Sequence, residues 1–372
     1  MRIGIDARLL RIPRGIGNSI RGLLSGLSKI SPNHEILIYT DSSLEAGKIP
    51  DALGFTLRVV KPAFYPYWEQ VSFPIALARD RIDVVHCPGN TGPIWGIGRA
   101  KLVVTIHDAI YFSKDFRKGQ SAAGAMQTAY YRTNVPMLAS RAQAIITVSE
   151  FSRNDIITLM HVPPPKITVI RNAPGEDFRR ISQAQQQKVK QKYRLDRYVI
   201  APAAVDPRKN TLRLLTAFAA FLRNGDSLHV LVLVGLDDRA RLQFGRVCDR
   251  LNIRSRVKLL GFVPTDELVA LYNGAEYALY LSLFEGFGLP VLEAMACGVP
   301  IIAANTTSIP EVAGDAGLLV DPCDMEMIVA AMRRLSGDAA LRAILRARGE
   351  EQAKKFSWDV AARQTLAIYE SL

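Results

Sequence analysis

The chain has 372 residues, 49% of them hydrophobic, a net charge of +12 and a mean hydropathy of +0.09, which is length and apolar content enough for two folded cores. No apolar run reaches the ~20 residues that cross a bilayer, so no membrane-spanning helix is expected. Cys87, Cys248, Cys297 and Cys323 are too scattered for a disulfide frame or a zinc site, and the charges of Arg2, Asp6, Arg8 and Arg11 break any secretory leader, so the protein is expected to stay in the cytosol.

In chain order, short β-branched runs alternate with longer amphipathic stretches. RIGIDA from Arg2, EILIYT from Glu35, DVVHC from Asp83, KLVVTIH from Lys101 and AIITVS from Ala144 predict the strands of a first domain. YVIAPA from Tyr198, HVLVLVG from His229, RVKLLG from Arg256, YALYLSL from Tyr277 and VPIIAAN from Val299 predict those of a second. RNAPGED, 171–177, breaks regular structure and divides the chain into 1–172 and 173–355; a polar helix over Ile181–Tyr193 then opens the second domain. The pattern predicts an α/β protein with two Rossmann-like, doubly wound parallel-sheet domains facing across a cleft, with ligands beyond the carboxyl ends of the strands.

Several strand ends carry chemistry. Gly15 and Gly17 follow the first strand but lack the third glycine of a dinucleotide fingerprint. His107 closes a strand, where it reads equally as a ligand contact or as a structural residue with its tautomer fixed by Asp108. In PAFYPYWEQVSFP, 62–74, Tyr65, Tyr67 and Trp68 suit a sugar or a lipid interface, or simply pin a proline-rich loop. Arg208 and Lys209 lie between a strand and a helix start, where cations are normally disfavoured and where a diphosphate would account for them. In LSLFEGFGLPVLEAMACGVP, 281–300, Glu285 and Glu293 flank a Gly-x-Gly-x-Pro turn. Gly286 and Gly288 admit close backbone approach and Pro290 suits a first helical turn, so Glu285 falls on the loop and Glu293 on the helix, with amide donors between them. That arrangement suits a polyhydroxylated anion.

Charge is uneven: residues 1–172 hold 21 Lys and Arg against 12 Asp and Glu, and the remainder 26 against 23. No basic run is interleaved with stacking aromatics, so nucleic acid is not an expected partner. An anionic membrane surface or lipid diphosphate suits the excess, and so does plain solubility. There is no Asp-x-Asp and no histidine ligand spacing, so neither a metal nor a cofactor is expected.

The Glu-x7-Glu block resembles the signature of the retaining family-4 glycosyltransferases, which have the GT-B fold. Pro207–Asn210, GFVPTDEL from Gly261, TIHD from Thr105, VSEFSRNDI from Val148 and FSWDVAARQTLAIY near the end line up with the same family in order. The resemblance implies that residues 356–372 cross back onto the first, acceptor-side domain, with Trp358 as a buried anchor, while the second domain binds a nucleotide-sugar. It implies that Lys209, Arg208 and the amides of Gly286, Phe287, Gly288 and Leu289 hold the donor phosphates, that Glu285 and His107 contact the transferred sugar, and that Glu293 takes the ribose. Gly261, Phe262 and Val263 would then lie at the base, and Gly15 and Gly17 on a mobile loop near the phosphates. Many family members carry another Arg about six residues before the Lys; Ala203 and Ala204 stand there, and Arg208 is the candidate to replace it. The implied activity is metal-independent hexosyl transfer, from GDP-mannose or a UDP-sugar, to a glycan or polyprenyl-diphosphate-linked acceptor in bacterial surface-polysaccharide synthesis. A GT-B protein without catalysis and a nicotinamide-dependent oxidoreductase are the rival readings; the second lacks its Gly-x-Gly-x-x-Gly.

Overall fold

The computed structural model describes residues 1–12, 15–30, 33–41, 54–62, 64–112, 122–223 and 229–372. They form two compact units, Met1–Ala173 with Ser357–Leu372, and Pro174–Phe356.

The first unit is built on seven parallel strands: β1 (Arg2–Asp6), β2 (Glu35–Thr40), β3 (Thr56–Val59), β4 (Val84–Cys87), β5 (Lys101–Thr105), β6 (Ala144–Thr147) and β7 (Ile167–Val169). Their order is β3-β2-β1-β4-β5-β6-β7, so the winding reverses between β1 and β4. That reversal splays the following loops apart and opens a crevice at the carboxyl edge. Both faces are covered, as the near-continuous apolar runs require. Leu37 and Tyr39 pack with Trp68 and Phe73 on one side, and Ile36 and Ile38 pack with Ile20 and Leu24 on the other.

The last helix, Trp358–Glu370, belongs to this unit and lies on the helix Ile16–Ile30. Gly22 makes room for it, since a Cβ there would sit 2.0 Å from Trp358 Cε2. Its far end is tied down by a buried polar chain in which Tyr369 Oη lies 2.6 Å from His86 Nδ1 and Thr105 Oγ1 lies 2.8 Å from Nε2. Burial pushes the His86 pKa down to about 3, so the ring is neutral and the chain carries no net charge.

The second unit has six parallel strands: β8 (Tyr198–Pro202), β9 (Val230–Val234), β10 (Val257–Leu259), β11 (Ala278–Tyr280), β12 (Ile301–Ala304) and β13 (Gly317–Val320). The order β10-β9-β8-β11-β12-β13 puts its switch point between β8 and β11. Its opening helix, Gln183–Tyr193, starts on a capping box in which Ser182 and Gln185 satisfy each other's backbone. Ten strands follow the runs expected from the sequence; β3, β7 and β13 are additional. Among the described residues no helix is long and apolar enough to cross a membrane.

Candidate functional site

In the second unit the chain leaves β8 and turns over Pro207–Lys209, where Asp206 caps a single 3₁₀ turn by accepting from Arg208 N at 3.0 Å. Asn210 follows at φ 55° and donates its side-chain amide to Leu281 O at 3.1 Å and Pro322 O at 2.8 Å. One asparagine thus fastens the loops after β8, β11 and β13, and Leu283 N donates to Arg208 O at 2.7 Å beside it. The result fixes Lys209 against the end of β11. Its ammonium lies 2.6 Å from Glu285 Oε1 and 3.2 Å from the Tyr280 hydroxyl.

Glu285 is buried enough that desolvation alone would raise its pKa; the Lys209 charge and hydrogen bond, aided by Ser282 and Tyr280, outweigh burial and hold it below the usual carboxylate range. Its loop is clamped from β12, where Thr307 Oγ1 accepts from Glu285 N at 3.2 Å and the Ser308 hydroxyl is 2.9 Å from both Glu285 O and Phe287 O. Gly288 then opens the helix Leu289–Ala296 at φ 108°, a conformation open in practice only to glycine, and a Cβ there would meet Ile309 Cδ1 at 2.7 Å. Phe287 and Leu289 are buried, Phe287 against Phe356, so this segment turns no large side chain to solvent.

Glu293 is different. It is 7% exposed, and no donor or cation among the described residues pairs with it. Burial pushes its pKa up to about 7. Tyr280, a buried phenol raised above its usual range first by desolvation, feels both Glu285 and Glu293, so the two carboxylates share one neighbourhood at the switch point.

The structure therefore brings Lys209, Glu285, Gly286–Leu289 and Glu293 together. Arg208 is a correction to the expectation of two available cations: its guanidinium is turned back on Asp206, with Nη2 2.6 Å and Nε 2.9 Å from Oδ2, because the Asp-Pro turn places that carboxylate beneath it. Ala203 is buried in the core beside β8. Gly261–Val263 follow β10 on the same sheet edge, two strands from β8; Gly235 N donates to Gly261 O at 3.0 Å, and the Phe262 ring is exposed. The clamp residues Thr307 and Ser308 and the hydroxyl of Tyr280 are the functional candidates that sequence reading missed. The signal was present in TTSIP, hydroxyl residues immediately before a helix with proline in its first turn.

In the first unit His107 is buried, its Nε2 donating to Pro88 O at 2.9 Å and its backbone N donating to Asn90 Oδ1 at 2.7 Å. The Pro88 carbonyl, rather than Asp108, thus fixes the tautomer, and desolvation lowers the ring's pKa to keep it neutral. Gly17 is not on a mobile loop: it lies buried in the first turn of the helix Ile16–Ile30, where a Cβ would sit 1.8 Å from Ile12 O. Gly15, at φ 47°, faces open space. Of the two readings open for Trp68, a sugar or lipid contact and a pin for its own loop, the structure supports the second: it is core, with Nε1 donating to Val60 O at 3.0 Å. Beside it lies a network the sequence did not reveal: Arg8 bridges Asp6 at 2.8 Å and Glu69 at 2.7 Å while stacking on Trp68.

Two doubly wound parallel-sheet units in one chain, the second with a cation, amides and carboxylates at its switch point, define a GT-B protein. Residues 13–173 match the family model "Glycosyltransferase Family 4" and residues 182–355 match "Glycosyl transferases group 1". The chain belongs to the family-4 glycosyltransferases. It is 39% identical over 233 residues to O-antigen chain mannosyltransferase B of Escherichia coli, a stretch covering 62% of this chain and 61% of that protein. It is 34% identical over 223 residues to the serotype-specific mannosyltransferase WbdA of the same organism, covering 59% and 27%. Among solved structures, Anabaena HepE in complex with UDP superposes with a TM-score of 0.78 at 18% identity, covering all of both chains, and so shares the fold.

Proposed function

We propose that the protein is a retaining, metal-independent glycosyltransferase that moves mannose from GDP-mannose to a glycan or polyprenyl-diphosphate-linked acceptor, on the cytosolic side, in bacterial surface-polysaccharide synthesis. The observation that carries this reading is Glu293, a buried carboxylate without donor or counter-charge, on the helix that follows the loop where Lys209 holds Glu285. An uncompensated buried acid is costly unless a ligand completes it, and two ribose hydroxyls would do so. Mannose as the sugar is supported by the two mannosyltransferase relatives.

In this reading Lys209 and the amides of Gly286–Leu289 meet the charge that grows on the departing diphosphate, and Glu285, released from Lys209 as the phosphates arrive, takes hydroxyls of the hexose. The anomeric carbon–oxygen bond breaks with its electron pair going to the diphosphate. The acceptor oxygen bonds to the same face of that carbon, and its proton passes to the departing phosphate oxygen. His107, neutral and held by Pro88, is assigned to the sugar, and Gly261–Val263 to the base. Arg208 joins the phosphates only by leaving Asp206.

A UDP-sugar is the second reading, favoured by the UDP held in HepE. The two are separated by nucleoside diphosphate release from GDP-mannose and UDP-glucose, with calorimetric binding of GDP, UDP and NAD alongside. Release of GDP, lost in Lys209→Ala, supports the proposal; release of UDP alone supports the second reading; binding of NAD with neither GDP nor UDP refutes both.

A further inference from the structure

The strand that leads into the Glu285 loop ends on a tyrosine. β11 is buried throughout; Tyr277, Leu279 and Leu281 pack into the core of the second unit, and Tyr280, one residue out of step with them, takes the other face of the strand. A buried phenol needs a partner for its hydroxyl. Other buried tyrosines of this sheet find one in the scaffold: Tyr198 donates to Leu271 O at 2.6 Å, and Tyr277 Oη lies 3.2 Å from Ser336 Oγ. Tyr280 finds its partners in the site instead. Its oxygen accepts from Lys209 Nζ at 3.2 Å, and the same ammonium lies 2.6 Å from Glu285 Oε1 and 5.4 Å from the centre of the Tyr280 ring.

A phenol has one proton to give and can accept twice. Burial first, then the charge and hydrogen bond of Glu285, push the Tyr280 pKa well above its usual range, so the proton stays on the phenol and is given to the carboxylate, while Ser282 and Lys209 serve its oxygen. The two groups that hold Glu285 differ in freedom. Lys209 carries its charge on a flexible stem and its side chain is 27% exposed, whereas Tyr280 is 5% exposed, with its ring fixed at the strand end. An anion arriving beside Lys209 can draw the ammonium away from Glu285; the phenol stays.

We propose that Tyr280 is a positioning residue whose hydroxyl keeps Glu285 aimed at the hexose once Lys209 has turned to the donor phosphates. This rests on the proposed function, and the test separates the two. GDP and GDP-mannose are titrated by calorimetry into the wild type, Tyr280→Phe and Tyr198→Phe, with UDP and UDP-glucose as the matching pair for the second reading; melting curves and the pH dependence of kcat are taken on each. In Tyr280→Phe the nucleoside diphosphate should bind within about twofold of wild type, while the nucleotide-sugar loses about tenfold and kcat falls about tenfold, as for a hydrogen bond to a charged group. The acid limb of kcat should also move up by about one pH unit, because the carboxylate has lost a donor to its charged form. Tyr198→Phe, whose hydroxyl serves the scaffold, should lower the melting temperature and alter neither affinity. Equal losses for diphosphate and nucleotide-sugar in Tyr280→Phe, a fall in kcat with the acid limb unmoved, or wild-type values throughout would overturn the proposal and leave the proposed function standing. A wild type that binds neither pair would overturn both.

Discussion

At the switch point of the first sheet, Asp6 and Glu69 are both held by Arg8, and Glu69 also accepts from Thr91 and Tyr130; at that of the second, Glu293 has neither cation nor donor. In the first crevice both buried acids are answered from within, although Arg8 Nη1 is left without a partner, and these ions fix how β1, the helical segment after β3 and the helix Ala122–Arg141 meet. The second leaves one carboxylate unanswered and holds a lysine on another. Buried charge is thus structural in one unit and poised for a ligand in the other.

Breaking the structural side should have the largest effect on stability. Arg8→Met strands two buried acids and should cost about 3–5 kcal/mol in denaturant unfolding, while GDP affinity, a property of the second unit, stays unchanged. On the ligand side, Lys209→Ala should lower kcat for GDP release by about 10²–10³ with the circular dichroism spectrum intact, the loss typical of removing one preorganised electrostatic group.

Glu293 sharpens the contrast through pH. An acid whose folded pKa lies above its unfolded value holds its proton more tightly in the native state, so its contribution falls as pH rises from the ordinary carboxylate range to about 7 and is flat beyond. The span corresponds to about 3 kcal/mol. Glu293→Gln should abolish that slope in melts taken between pH 5 and 8 and leave the variant more stable than wild type at neutral pH. The smallest effect is expected at the turn joining the carboxylates: Gly288→Ala, forced to φ 108° and against Ile309, should lose about 1–2 kcal/mol in thermal unfolding.

Much of this was legible in the sequence because parallel strands buried on both faces read as unbroken β-branched runs. The three strands that escaped, β3, β7 and β13, are all sheet edges of three or four residues and half-exposed, so no periodicity could build up. Glu285, Glu293 and Lys209 announced themselves because charge beside glycine and proline at strand ends needs a reason. Arg208 misled because its partner Asp206 is local, whereas the Arg8–Glu69 pair stayed hidden because its members are 61 residues apart. A glutamate inside the aromatic run PYWEQVSF was its only trace.

The direct test of the central claim is calorimetric titration of GDP into wild type and Glu293→Gln, near pH 6.5 and in two buffers of different ionisation enthalpy. Ribose hydroxyls completing Glu293 require the ionised form, so wild type should release protons on binding and bind more tightly as pH rises toward 8, and the variant should do neither. Equal affinity in both proteins, with no proton exchanged, would contradict the account.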